Sequence, residues 1–141
     1  MKLIIFTGLF FTLFLQAASA QEYRVGSPDD HLQVLIANEE SLHFLVQKDG
    51  KILIPLVEVA MISEKGTIPS AKDKVHKAVK QNVNTVIHPV VSIKNSSIKD
   101  EYHELTLKYK NHFKVIFRAY NDAIAYRFET DYPDSVTFMN E

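Results

Sequence analysis

Histidine, carboxylate and arginine are the residue types through which this chain could do chemistry. Six histidines stand at 31, 43, 76, 88, 103 and 112. A zinc helix or finger places ligands about two to five residues apart. No two of these histidines are that close, so scattered surface histidines fit the spacing better than a metal centre. Glycoside hydrolysis needs two carboxylates across a sugar ring at a defined separation. The chain has 17 acids, and nothing in their order chooses two. Asp100, Glu101 and Glu104 cluster around Tyr102 and read as a charged turn leading into a strand over 103–109. There is no cysteine, which excludes thiolate catalysis and thiolate metal sites. Serine, histidine and aspartate occur as in almost any chain, but no G-x-S-x-G elbow and no glycine-rich phosphate loop is present. No catalytic, cofactor-binding or metal-binding residue is therefore assigned, and no substrate-binding residue is named.

Arg118 and Arg127 are the more informative charges. They lie in FRAYNDAIAYRFET, from Phe117 to Thr130, where two apolar arms flank Asn121-Asp122. If those two residues form a type I′ loop with positive φ, Phe117 faces Tyr126 and Ala119 faces Ile124. One face then carries Val115, Phe117, Ala119, Ile124, Tyr126 and Phe128. The other carries Ile116, Arg118, Tyr120, Ala123, Ala125 and Arg127, with Lys114 opposite Glu129. The two arginines fall diagonally across neighbouring strands and repel one another unless acids or a partner surface intervene. They read equally as a polar docking or sugar-lining face and as exposed side chains spreading their stems over Tyr120 and Ile116.

The elements that would hold these residues read as hairpins. Leu32, Val34 and Ile36 alternate with more polar neighbours, as do Leu42, Phe44 and Val46, which is the period of half-buried strands. A three-residue loop at 38–40 sets Ile36 opposite Leu42 and keeps the apolar residues on one face. A three-residue loop at 48–50 sets Val46 opposite Ile52, with Gly50 in the left-handed position. A third, at 110–112, sets Leu105, Leu107 and Tyr109 opposite Phe117, Val115 and Phe113, with His112 left-handed. The apolar face of the meander 103–109, 113–120 and 123–129 needs a cover. Helices are scarce, so a second sheet is expected, giving an all-β chain and a β-sandwich. The stretch from Glu64 to Thr85 is polar and lysine-rich. It reads as a solvated excursion, with a short helix suggested by Val75, Ala78 and Val79.

The chain has 141 residues and ordinary globular composition, enough for one domain. Its formal charge of −1 gives no electrostatic case for nucleic acid. Lys2, the apolar run Leu3 to Leu15 and Ala18-Ser19-Ala20 have the pattern of a secretory signal peptide over residues 1–20, so the mature chain is expected to start at Gln21. The run is too short to span a bilayer. Losing Lys2 takes the net charge from −1 to −2. An exported domain without cysteine fits a bacterial periplasm or cell surface. Asn95-Ser96-Ser97 matches a glycosylation sequon, which means little in a bacterial host.

DEYHELTLKYKNHFKVIFRAYNDAIAYRFE, from Asp100 to Glu129, resembles the N-terminal domain of family-97 glycoside hydrolases. Tyr102, Glu104 and Leu105 match that family's Tyr-x-Glu-Leu segment. Phe117, Arg118, Ala119, Tyr120, Asp122, Ala125, Arg127 and Phe128 match its arginine-bearing hairpin. VGSPDDHLQVLI from Val25, Asp49-Gly50-Lys51 and His88-Pro89-Val90 match further segments in order. Ala123 and Asp30 stand where the family usually has glycine. The resemblance implies residues 21–141 as the N-terminal portion of a galactose-mutarotase-like β-supersandwich, incomplete at its C-terminal end. It implies an exported bacterial α-glucosidase or α-galactosidase in which this domain shapes the active-site pocket beside a catalytic (β/α)₈ barrel. The substrate would be an α-linked oligosaccharide, with calcium a cofactor of the complete enzyme's inverting members and none in this chain. Such a chain would not be catalytic alone. The alternatives are a stand-alone secreted β-sandwich that binds carbohydrate or protein, and an unrelated interaction domain.

Overall fold

The computed structural model describes residues 21–90 and 96–140. The signal-peptide segment 1–20 and Asn95 of the sequon lie outside the described residues. The described chain is all strand: β1 (Gln21–Gly26), β2 (Leu32–Asn38), β3 (Leu42–Lys48), β4 (Lys51–Val59), β5 (Met61–Ser63), β6 (Gly66–Ile68), β7 (Val75–Ile87), β8 (Ile98–Tyr109), β9 (Phe113–Ala119), β10 (Ile124–Thr130) and β11 (Phe138–Asn140). Two four-stranded sheets, ordered β1-β2-β3-β4 and β10-β9-β8-β7, face one another as a sandwich, and β11-β5-β6 forms a small third sheet. All the ladders are antiparallel. Among the described residues no helix is long and apolar enough to cross a membrane.

The core follows from period-2 alternation. Val34, Ile36, Leu42 and Val46 from one sheet and Leu105, Leu107, Val115 and Phe117 from the other are almost wholly removed from water. The Phe44 ring meets Phe117 edge-on at 5.7 Å and Tyr126 at 5.8 Å, joining β3 to β9 and β10. Each large side chain buried this way contributes roughly 1.5–3 kcal/mol. β1 lies over β8 and β9, and β2 over β9, so the two sheets are offset. β4 runs past β10 on one side, and β7 past β1 on the other.

The 103–129 meander has the expected register. Leu105 is opposite Phe117, Leu107 opposite Val115, Phe117 opposite Tyr126, and Ala119 opposite Ile124. His112 is left-handed, with φ of 60°. The turn at Asn121-Asp122 differs from expectation, because neither residue has positive φ. Tyr120 N–H instead bonds Ala123 C=O at 2.8 Å, and the Asn121 Oδ1 accepts the Asp29 N–H at 3.1 Å. That side-chain tether holds the loop without the type I′ conformation.

Three other readings are corrected. The β2–β3 loop is Glu39-Glu40-Ser41, setting Asn38 opposite Leu42 and Ile36 opposite Phe44. The shift is two residues, so the faces are unchanged. The β3–β4 loop has two residues, not three. Asp49 and Gly50 both have positive φ, 50° and 75°, and two register shifts follow, so Val46 meets Ile54. Residues 75–87 form a long strand rather than a helix or a solvated excursion. The β-branched Val75, Val79, Val83, Thr85, Val86 and Ile87 suit an extended chain, and β8 pairs with it from Tyr109 to Ile98. β1 is a strand that the sequence pattern does not predict.

Candidate functional site

The second face of the β10-β9-β8-β7 sheet carries the arginines, and its register places their partners. With Leu105 opposite Phe117, Glu104 must lie opposite Arg118 on the outward face, and it does. The Arg118 Nε donates to Glu104 Oε2 at 2.8 Å, with the two side chains 27% and 14% exposed. The Arg118 guanidinium lies over the Tyr102 ring at 4.4 Å, a cation–π contact. The Tyr120 ring is 5.0 Å from that of Tyr102. Thr106 Oγ1 donates to the other Glu104 oxygen at 3.3 Å. Burial works against the Arg118 charge, but hydrogen bonds with Glu104 and Tyr120 outweigh it and hold the guanidinium more firmly protonated than usual. Burial raises the Tyr102 phenol.

Arg127 has its own acid. Its Nη2 is 2.5 Å from Glu129 Oε1, and the Lys114 Nζ is 2.5 Å from Glu129 Oε2. The expected cross-strand pair of Lys114 and Glu129 is therefore present. Lys114's hydrogen bond, the largest influence, and the nearby Arg127 hold the Glu129 carboxyl below its ordinary range. A dent of about 100 Å³ lies among Ile116, Arg118, Tyr120, Ala125, Tyr126 and Arg127. It exists because Ala125 has no side chain long enough to fill the space between the arginines.

Asp100, Glu101 and Glu104 do not form a turn. β8 begins at Ile98, so all three lie in the strand, and Tyr102 is buried on its outward face. The signal that could have found this was the register itself, since the pairing that joins Leu105 to Phe117 also joins Glu104 to Arg118.

Two further polar clusters tie the sandwich together at its ends. At one, buried Ser27 donates to Asp29 Oδ1 at 2.5 Å, and its Oγ accepts the Leu32 N–H at 3.0 Å. Ser27's hydrogen bond lowers the Asp29 carboxyl. Asp30, standing where the family usually has glycine, has φ of 61°. Aspartate tolerates the left-handed conformation, so the turn survives the replacement. At the other end the Tyr109 hydroxyl donates to Asn38 Oδ1 at 3.0 Å, and Asn38 Nδ2 donates to the Asp73 carbonyl at 3.3 Å. The Asp73 carboxylate accepts from Ser70 N and Oγ, each at 2.8 Å, and from Asn111. Burial pushes the Tyr109 hydroxyl far above its ordinary range.

The histidines remain apart. His31 pairs with Asp49 at 2.5 Å, which raises its pKa. His103 Nδ1 donates to the Gly26 carbonyl at 2.9 Å. Among the described residues no three histidine, aspartate or glutamate side chains gather in a group that could hold a metal. Glu104 and Glu129 on the arginine face are committed to cations, so this part of the face is built to be rigid and polar.

An offset antiparallel sandwich with an ordered arginine face of this kind is a domain that presents a surface. The chain matches the family described as Glycosyl-hydrolase 97 N-terminal over residues 25–141 and belongs to that family. A retaining alpha-galactosidase of Bacteroides thetaiotaomicron is 32% identical over 117 residues, 83% of this chain and 17% of that protein. A crystal structure of a beta-arabinopyranosidase superposes with a TM-score of 0.74 and 25% identity, covering 85% of this chain and 20% of the other. A family-97 enzyme from Pseudoalteromonas sp. strain K8, in complex with acarbose, shares the fold with a TM-score of 0.67 at 19% identity, over 77% of this chain and 17% of that one. The chain thus spans about a fifth or less of the length of these relatives.

Proposed function

We propose that this chain works as the N-terminal, non-catalytic domain of a longer exported family-97 glycosidase, where it packs beside a catalytic (β/α)₈ barrel and helps shape the sugar pocket. Residues 1–20 act as its signal peptide, and the bacterial periplasm or cell surface is its location. The observation that carries the reading is the 32% identity to a retaining alpha-galactosidase over 83% of the chain. The similarity to a beta-arabinopyranosidase sharpens it. β-L-Arabinopyranose has the ring configuration of α-D-galactopyranose without the hydroxymethyl group. The substrate class we favour is therefore an α-D-galactopyranoside or its pentose counterpart, released with retention.

The test has two arms. The full chain alone, given aryl α-D-galactopyranoside or α-D-glucopyranoside with and without calcium, should show no turnover. The longer polypeptide that carries this domain should hydrolyse the galactoside in preference to the glucoside. Turnover by the chain alone, abolished by changing one of its own carboxylates, would overturn the non-catalytic assignment. A preference for the glucoside would overturn the substrate class.

A further inference from the structure

The outward face of the β10-β9-β8-β7 sheet carries more positive charge than its own acids can answer. Lys77 is opposite Lys108, and Lys108 is opposite Lys114, so three lysines stand in one row across three strands. Arg127 lies one row further, opposite Ile116, and Arg118 a row beyond that. The same face offers the acids Asp100, Glu104 and Glu129 against these five cations. Among the described residues Glu129 serves both Lys114 and Arg127, Glu104 serves Arg118, and no acid pairs with Lys77 or Lys108. The chain as a whole is slightly acidic, so this field is local. Like charges directly opposite one another on a sheet are destabilising, and a row of three has no structural use in an isolated domain.

The floor beneath the charges is flat and packed. Ile116 and Thr106 are buried although they point outward, under the stems of the long side chains around them. Between Arg118 and Arg127 the dent over Ala125, about 100 Å³, is large enough for one carboxylate head. Arg118 is held from below by Glu104 and Tyr102, so its position is set before any partner arrives.

We propose that this face is a docking surface for an acidic protein surface, the carboxylate-bearing side of the neighbouring domain in the longer enzyme. The partner's identity rests on the reading of the chain as one domain of a glycosidase. The cationic face itself does not. Glu104 and Glu129 decide the kind of partner. A densely charged polyphosphate or an anionic membrane would crowd charge against both carboxylates, whereas the spaced carboxylates of a polypeptide can match the lysine row and leave these two carboxylates undisturbed.

The experiment uses the full chain in two measurements. Lys108→Met should raise the melting temperature at low salt by roughly 1–4 °C, because it relieves the lysine row. The gain should vanish at high salt, where the repulsion is screened. Poly-L-glutamate, titrated onto the chain by fluorescence anisotropy, should bind, and Lys77→Glu with Lys108→Glu should weaken that binding at least tenfold. Circular dichroism checks the fold of the double variant, and Lys77→Gln serves if it fails to fold. A melting temperature that falls or stays constant in Lys108→Met would overturn the proposal. So would poly-L-glutamate binding that ignores the lysines, or tighter binding to phosphatidylglycerol vesicles or polyphosphate than to poly-L-glutamate. Failure of the galactosidase reading would show instead in the turnover of the longer protein, so the two are separable.

Discussion

β4 (KILIPLVEV) and β9 (FKVIFRA) are both rich in large apolar residues, and they end in opposite surroundings. β9 lies between β8 and β10 with its inward face against the other sheet, and Phe113, Val115, Phe117 and Ala119 are buried there. β4 is an edge strand past the limit of the facing sheet. Ile52 and Leu56 are 64% and 63% exposed, and Leu53, Ile54 and Val57 also show to solvent. The difference is in the cover, not in the strands' own hydrophobicity. A strand covered on one face has one register that buries its apolar set, and that register can be read from its alternation. A strand apolar on both faces has no such preference. β4 accordingly pairs with β3 through two register shifts, and Pro55, which cannot donate to a ladder, falls within the first.

The largest effect that could break this comparison lies in β9. Phe117 is fully buried and meets Phe44 and Tyr126. Phe117→Ala should lose about 3–5 kcal/mol in equilibrium denaturation. A loss below about 1 kcal/mol would mean that β9 is not the centre of the core.

Tyr109 gives the next effect. Tyr109→Phe removes the donor to buried Asn38 and should cost about 1–3 kcal/mol. It should also change the alkaline limb. Burial raises the folded-state pKa of Tyr109 above the ordinary tyrosine value near 10. Its contribution is then fully present below about pH 10 and is lost as pH rises from there, as the unfolded chain ionises first. Wild-type stability should fall above that pH more steeply than that of Tyr109→Phe, measured by urea denaturation across the range.

Arg118 comes third. A purely exposed arginine would be silent on substitution, but Arg118 is half-buried against Glu104 and Tyr102. Arg118→Ala should cost about 1 kcal/mol in the isolated chain, clearly less than Phe117→Ala. Equal losses for the two would mean that the inward and outward faces are misassigned. The smallest effect sharpens the comparison from the β4 side. Leu56→Gln should change stability by less than about 0.5 kcal/mol, because that side chain is already in water.

Legibility in the sequence follows the same division. The β8-β9 register is legible because a three-residue loop with His112 in the left-handed position fixes it, and that loop sets Leu105, Leu107, Phe113, Val115 and Phe117 on one face. β2 and β3 were legible in face but off by two residues in register, since any even shift keeps the same faces. β7 was hidden because it overhangs the facing sheet. Lys80 and Asn82 occupy positions opposite Leu105 and His103 that a covered strand would fill with apolar residues. The partners of Arg118 follow from the register, but acids around a tyrosine look like a turn unless the strand extends back to Ile98. The Asn121-Asp122 turn type was not legible, since the hydrogen bond from the Asp29 N–H comes from a loop distant in sequence.

The contrast between β9 and β4 is tested most directly by native-state hydrogen exchange resolved to single amides. Phe117 N–H sits in a central strand over the core and should exchange only through global unfolding, with a protection free energy equal to the stability from denaturation. The amides of β4 that point away from β3 should exchange orders of magnitude faster, through local opening. Comparable protection along both strands would contradict the open edge at β4, and faster exchange at Phe117 than in β4 would contradict the placement of the core itself.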